Sequence, residues 1–319
     1  MESPRARRGR RARPSRRRPL PSLALVLVAV AGVTAGGTVY VKARAHPGTP
    51  AVSSAATPPA SPSAGAGEEA SVEPVTEPAV DRTALLSKAM TAVKVPAGAR
   101  VSAAVLAVDS GESAAYGDAA FDTASIVKVD ILAALLLQAQ DADRRLTAAE
   151  KAYATKMIEN SDNTSATALW RAIGRAEGLD AANKRFGLTS TSGGEGELWG
   201  LTQTTAADQL LLLQQVFGEE SELSAASRSY VQGLMKSVEP DQRWGVSAVA
   251  EGNSSTLLKN GWLARSTTGL WDVNSIGRVT VDGADYLVAV LSKGTESQAK
   301  GIALVEAAAK AAVSAFTGT

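Results

Sequence analysis

Phe121-Asp122-Thr123-Ala124-Ser125-Ile126-Val127-Lys128-Val129-Asp130-Ile131-Leu132 is the stretch that decides how this 319-residue chain folds. The apolar residues after Ser125 predict a helix over Ala124–Gln140. A spacing of three on a helix puts Ser125 and Lys128 on one face, one turn apart. Burial under the following apolar turn lowers a lysine's pKa and lets it serve as a base near neutrality. An ordinary serine cap with a solvated lysine would look the same. Composition alone produces S-x-x-K about once in a chain of this length, so its meaning depends on what accompanies it.

What is missing narrows the chemistry. The chain has no cysteine and one histidine, His46. Ser-His-Asp and Cys-His machinery are therefore unavailable, and so is a zinc site built on those residues. Nucleophilic catalysis here would need a serine or threonine activated by lysine or a carboxylate. No cofactor and no metal is implied.

Two further elements follow downstream. Ser161-Asp162-Asn163 lies between two predicted helices, where Asp or Asn can also serve simply as an N-cap. Lys259-Asn260-Gly261 ends a predicted strand and precedes Trp262. A lysine there offers fixed positive charge, and a glycine lets another backbone approach closely; a plain turn between strands is the alternative.

In this order the three elements resemble the S-x-x-K, S-D-N and K-T-G set of class A β-lactamases and penicillin-binding proteins. The resemblance runs from about residue 85 to residue 316. It implies Ser125 as the nucleophile that forms an acyl-enzyme and Lys128 as its base or proton relay. It also implies Ser161 as the proton shuttle to the leaving nitrogen and Lys259 as the charge facing a substrate carboxylate. Asn163, Asn260, Gly261 and Trp262 would contact substrate, with the backbone N–H groups of Ser125 and Trp262 forming the oxyanion hole.

Three departures bear on the reaction. Asn260 stands where the family has threonine or serine. Only 36 positions separate Ser125 from Ser161, so the helical lobe is expected to be trimmed. The Glu-x-x-x-Asn pattern that supplies a deacylating base is absent. Glu197 falls near the expected distance and Glu195 is the second choice, but four positions on stand Leu201 and Trp199. The flanking glycines predict a flexible loop with solvated carboxylates. Slow deacylation is therefore expected, closer to penicillin-binding behaviour than to efficient hydrolysis. The substrates implied are β-lactams or D-alanyl peptides of peptidoglycan. The alternative function is a catalytically weak or inactive binding or sensing module of the cell envelope.

Outside this region the chain changes character. Nine arginines crowd residues 1–19, a predicted cytoplasmic tail. Residues 20–41 are uncharged and long enough to span a bilayer, and the basic flank places the N-terminus inside. A membrane signal-anchor is favoured over cleavage near Ala43-Arg44-Ala45, which would release a secreted protein. Residues 42–80, rich in Pro, Ala and Ser, read as a linker. The remainder, 81–319, carries 22 basic and 27 acidic residues, which argues against a nucleic-acid partner. The expected location is extracytoplasmic, tethered to the cell membrane.

Within 81–319 a helix is predicted near Asp81–Val95, then a hairpin of Val101–Val108 with a turn at Asp109–Glu112. Further helices follow at 147–159, 164–173, 179–185, 205–217 and 225–237, strands at 255–259, 273–281 and 286–291, and a final helix at 296–316. Strands at both ends with helices between predict an α+β fold, in which terminal segments share one antiparallel sheet beside a helical lobe.

Overall fold

A computed structural model describes residues 80–250 and 256–317. The basic tail, the apolar span and the linker up to residue 79 lie outside the described residues. Among the described residues no helix is long and apolar enough to cross a membrane.

The predicted hairpin forms as strands β1 (Arg100–Ala107) and β2 (Ser113–Tyr116). Late in the chain come β5 (Thr256–Ala264), β6 (Trp271–Val281) and β7 (Ala284–Thr295). Together they make one antiparallel sheet in the order β2-β1-β7-β6-β5. Central strand β7 is buried over Tyr286–Ser292 on both side-chain parities, as a strand covered on both faces must be. Helix α1 (Arg82–Met90) and helix α8 (Gln298–Thr317) pack together, and α8 lies along β1, β6 and β7. Helix α6 (Ala206–Phe217) also packs on β1, β6 and β7 and connects the sheet to the helical lobe. Two short strands that the sequence did not signal, β3 (Phe121–Asp122) and β4 (Gln203–Thr204), pair beside it.

The lobe is organised by helix α2 (Val127–Asp141). Twelve of its fifteen residues are buried, the pattern of a helix enclosed on all sides. Around it stand α3 (Ala148–Glu159), α4 (Asn163–Ala172), α5 (Arg175–Phe186) and α7 (Ala225–Lys236). Their starts follow local chemistry. Thr147 and Glu150 form a reciprocal capping box on α3, and Asp162 caps α4 by accepting from Ser165 N at 2.7 Å.

Several boundaries differ from expectation by a few residues, α1 ending at Met90 rather than Val95 among them, and two of the differences have a clear cause. Helix α5 begins at Arg175, a turn before residue 179, because Gly174 at φ +94° starts the helix there and Gly178, a poor helix former, sits inside it. Lys259-Asn260-Gly261 does not end its strand. Pairing runs on to Ala264 opposite Trp271, so tertiary pairing overrides the low strand propensity of Asn and Gly.

Candidate active site

Ser125 sits in a 3-10 turn, Ala124–Ile126, immediately ahead of α2. The preceding Ala124 has φ +48°, a conformation that costs energy for a residue with a Cβ and that must be held by its surroundings. Asn274 on β6 does the holding: its Nδ2 donates to the carbonyls of Asp122 and Thr123 at 2.9 and 3.0 Å. Opposite Asn274 is Gly261, where a Cβ would fall 2.7 Å from Ser125 N and 2.8 Å from Ile126 N. Only glycine lets β5 pass this close to the nucleophile turn. Trp262, half-buried, is the next residue.

Lys128, the second residue of α2, is fully buried. Its Nζ donates to Ser161 O at 2.6 Å, Ser161 Oγ at 3.0 Å and Asn163 Oδ1 at 2.8 Å. Burial pulls its pKa down to about 7, against a smaller opposing pull from Asp162. Lys259, also fully buried, donates to Ser161 Oγ at 3.0 Å and to its neighbour's carbonyl, Asn260 O, at 2.8 Å. Burial, and secondarily the charge of Lys128, hold its pKa well below the ordinary lysine value. Ser161 itself has φ +55°, so the strained residues of this region include one on each side of the lysine.

The Ser161 hydroxyl therefore receives a donor from each of two lysines. A hydroxyl has two lone pairs and one hydrogen, so with both lone pairs engaged its own O–H is left to point elsewhere. The Ser125 hydroxyl has no hydrogen-bond partner among the described residues; Lys128 is turned to Ser161 and Asn163. Such bonds in ligand-free sites often tighten only when substrate arrives.

The structure thus brings Ser125, Lys128, Ser161, Asn163, Lys259 and Gly261 into one neighbourhood. Asn260 does not join them. It is fully buried and its Nδ2 donates to Gln242 O and Trp244 O, both at 2.8 Å. The expected substrate contact through Asn260 is corrected accordingly: its amide fastens β5 to the segment around Trp244, whose ring meets that of Trp262 at 5.9 Å between centroids.

The two glutamates proposed as a weak deacylating base are corrected as well. Glu197 is exposed and accepts from Arg171 Nε and Arg175 Nε, each at 2.9 Å. Those hydrogen bonds hold its carboxyl below the usual range. Glu195 is exposed too. Nor is their loop loose. Trp170 Nε1 donates to Gly196 O at 2.7 Å, Gly194 N donates to Thr202 Oγ1 at 3.1 Å, and a Cβ at Gly194 would lie 2.1 Å from Leu198 O. Gly193 and Gly194 serve tight packing, and Gly196 serves a positive φ of +58°.

The loop residue that does reach Lys128 is Trp199, which sequence reasoning placed only as the occupant of an expected asparagine position. Its ring centroid lies 5.0 Å from Lys128 Nζ, and its Nε1 donates to Thr167 Oγ1 at 3.1 Å. Beside it, a cleft of about 560 Å³ is lined by Thr167, Leu198, Trp199, Leu201 and Leu263.

Comparison with known proteins agrees with this architecture. The description "Beta-lactamase enzyme family" matches residues 150–316. No curated protein matches. Among solved structures, PBP-A is 21% identical over 74% of this chain and 97% of its own, with a TM-score of 0.63. The TLA-1 extended-spectrum β-lactamase is 15% identical over 74% and 98%, with a TM-score of 0.63. A class A β-lactamase representative from Bacteroides cellulosilyticus DSM 14838 is 16% identical over 75% and 99%, with a TM-score of 0.62. At such identities the structures speak for the fold, whereas the family match spans more than half of the sequence. By the family match the chain belongs to the β-lactamase enzyme family and is, at that level, a β-lactamase-like serine hydrolase.

Proposed function

We propose that the domain is acylated on Ser125 by β-lactams or by D-alanyl peptide ends of peptidoglycan, and that it releases the acyl group slowly. The observation that carries this reading is the Ser161 hydroxyl shared by Lys128 and Lys259. Neutral Lys128, accessible at a pKa of about 7, takes the Ser125 proton as Oγ attacks the amide carbonyl. The backbone N–H groups of Ser125 and Trp262 receive the developing oxyanion. Ser161, its O–H free to turn outward, passes a proton to the leaving nitrogen and is resupplied by the lysines. Lys259, with no carboxylate bonded to it among the described residues, is matched by a substrate carboxylate, whose arrival raises the lysine's proton affinity.

Slow release is supported by Glu197, whose carboxylate is bound by two arginines, and by the presence of Trp199 rather than a carboxylate against Lys128. A second reading, a sensing module that turns nothing over, draws on Asn260 being turned away from the site. Either role suits a domain tethered outside the membrane, the location we propose from the N-terminal sequence. The experiment is incubation of the full chain with a reporter penicillin, following opened product per enzyme, with Ser125→Ala as control. Near-stoichiometric product with slow turnover supports the proposal; sustained rapid turnover makes the protein an efficient β-lactamase. No reaction beyond the Ser125→Ala control favours the module.

A further inference from the structure

Resting on the acyl-enzyme reading, we propose that Trp199 is the residue that makes the acyl-enzyme long-lived, by filling the place from which water would reach both Lys128 and the Ser125 ester. Three independent features put the ring there and keep it there. The short 3-10 turn Trp199–Leu201 packs against the nucleophile turn Ala124–Ile126, with Thr123 N donating to Thr202 O at 2.9 Å. The indole ring stands over the Lys128 ammonium, and Thr167 accepts its N–H. The loop that carries it is fastened at both ends by Trp170–Gly196 and Gly194–Thr202, and in its middle by the Arg171–Glu197–Arg175 cluster.

The chemistry explains why a tryptophan at this spot matters. Hydrolysis of the ester needs a water oxygen to bond to the acyl carbon while a base takes its proton. The tetrahedral intermediate then collapses with cleavage of the carbonyl–Oγ bond, and Ser125 Oγ recovers the proton. Lys128 can supply both proton steps, because its depressed pKa leaves it partly neutral near pH 7. On this proposal what limits hydrolysis is the approach of water to the base, not the lack of a base. Three acceptors from Ser161 and Asn163 occupy the ammonium's donors, and the indole covers it with a surface to which water binds poorly. Trp199 is thus a positioning residue that acts through Lys128.

The test measures the lifetime of the penicilloyl adduct by intact mass, on the full chain, for wild type, Trp199→Ala, Trp199→Phe and Trp199→Leu. Adduct decay in Trp199→Ala is expected to accelerate on the order of 10- to 100-fold, below the roughly 10²–10⁴ that a purpose-placed general base contributes. Trp199→Phe, which keeps an aromatic face on the lysine, retains most of the wild-type lifetime, and Trp199→Leu falls between. Decay in Trp199→Ala rises with pH from neutrality upward as Lys128, less buried without the indole, loses its proton, a dependence that loosened structure alone would not create. The Leu variant keeps the comparison decisive should the Ala variant fold poorly. Unchanged lifetimes in variants that still acylate overturn the shielding role alone. Absence of any adduct on the wild type overturns the acyl-enzyme reading beneath it.

Discussion

Ser161 is the residue on which the chemistry converges, because two buried lysines donate to one hydroxyl at 3.0 Å each. Acylation requires Lys128 without its proton, so the acylation rate is expected to climb through about pH 7 and level off above it. Stopped-flow acylation between pH 5 and 9 checks this; a flat profile would remove Lys128 from the proton transfer. Lys128→Met should lower acylation by a factor on the order of 10²–10⁴, the range for a lost acid–base group. That Ser125 and Lys128 stand together at the start of α2 was legible from spacing, and that Ser161, Asn163 and Lys259 gather by Lys128 from the order of the motifs. Trp199 was not, since a ring that reaches across from a distant loop leaves no periodicity and no motif at its own position. Asn260 misled for a related reason. Its residue type suggested a polar contact, but only the fold shows that the partners are the carbonyls of Gln242 and Trp244.

Among the elements, strand β5 and the loop before β4 decide how the site is walled. Asn260 joins β5 to the Gln242–Trp244 segment by two hydrogen bonds from a fully buried amide. Asn260→Thr cannot make both, and losing buried partners costs about 1–3 kcal/mol; urea unfolding should show that loss. A variant of wild-type stability would contradict the structural role. In the loop, Glu197→Gln weakens one fastening but leaves those at Gly194 and Gly196, so acylation is expected to stay within about twofold and adduct decay not to slow. A large slowing of decay would restore Glu197 as a base. Glycines in this loop suggested flexibility from sequence. Close backbone packing at Gly194 is a tertiary fact that the residue type alone does not distinguish from looseness. Helix α2 was legible because a long apolar run reads the same in sequence and in the core. Strands β3 and β4, two residues each, are too short to carry a period.

For the whole molecule, the burial of charge sets how stability varies with pH. Asp130, on α2 beyond the catalytic lysine, is fully buried, and burial raises its pKa to about 8. Asn183 lies beside it, its amide nitrogen 2.9 and 3.2 Å from the two carboxyl oxygens when oriented to donate. Burial outweighs that bond, which favours the charged form, so the folded state holds a proton that the unfolded chain releases near the ordinary aspartate value of 3.8. Stability from this group is full below that value and falls between it and about pH 8, by roughly 1.4 kcal/mol per pH unit at most. Lys128 acts in the other direction: its folded pKa of about 7 lies below 10.5, so its burial costs most below pH 7 and the cost fades as pH rises to 10.5. Asp130→Asn should flatten the decline between pH 5 and 8 in thermal unfolding midpoints. Parallel profiles for variant and wild type would show that Asp130 is not protonated in the fold. The α+β architecture was legible as a whole, because strands at both ends of the domain have few ways to meet other than in one sheet.

The most direct test of the central claim is to locate the acyl group. After incubation with penicillin, the full chain is digested and the modified peptide identified by mass spectrometry. The account predicts one penicilloyl group per chain, on Ser125 and absent in Ser125→Ala. An adduct on another residue, or none, would contradict it.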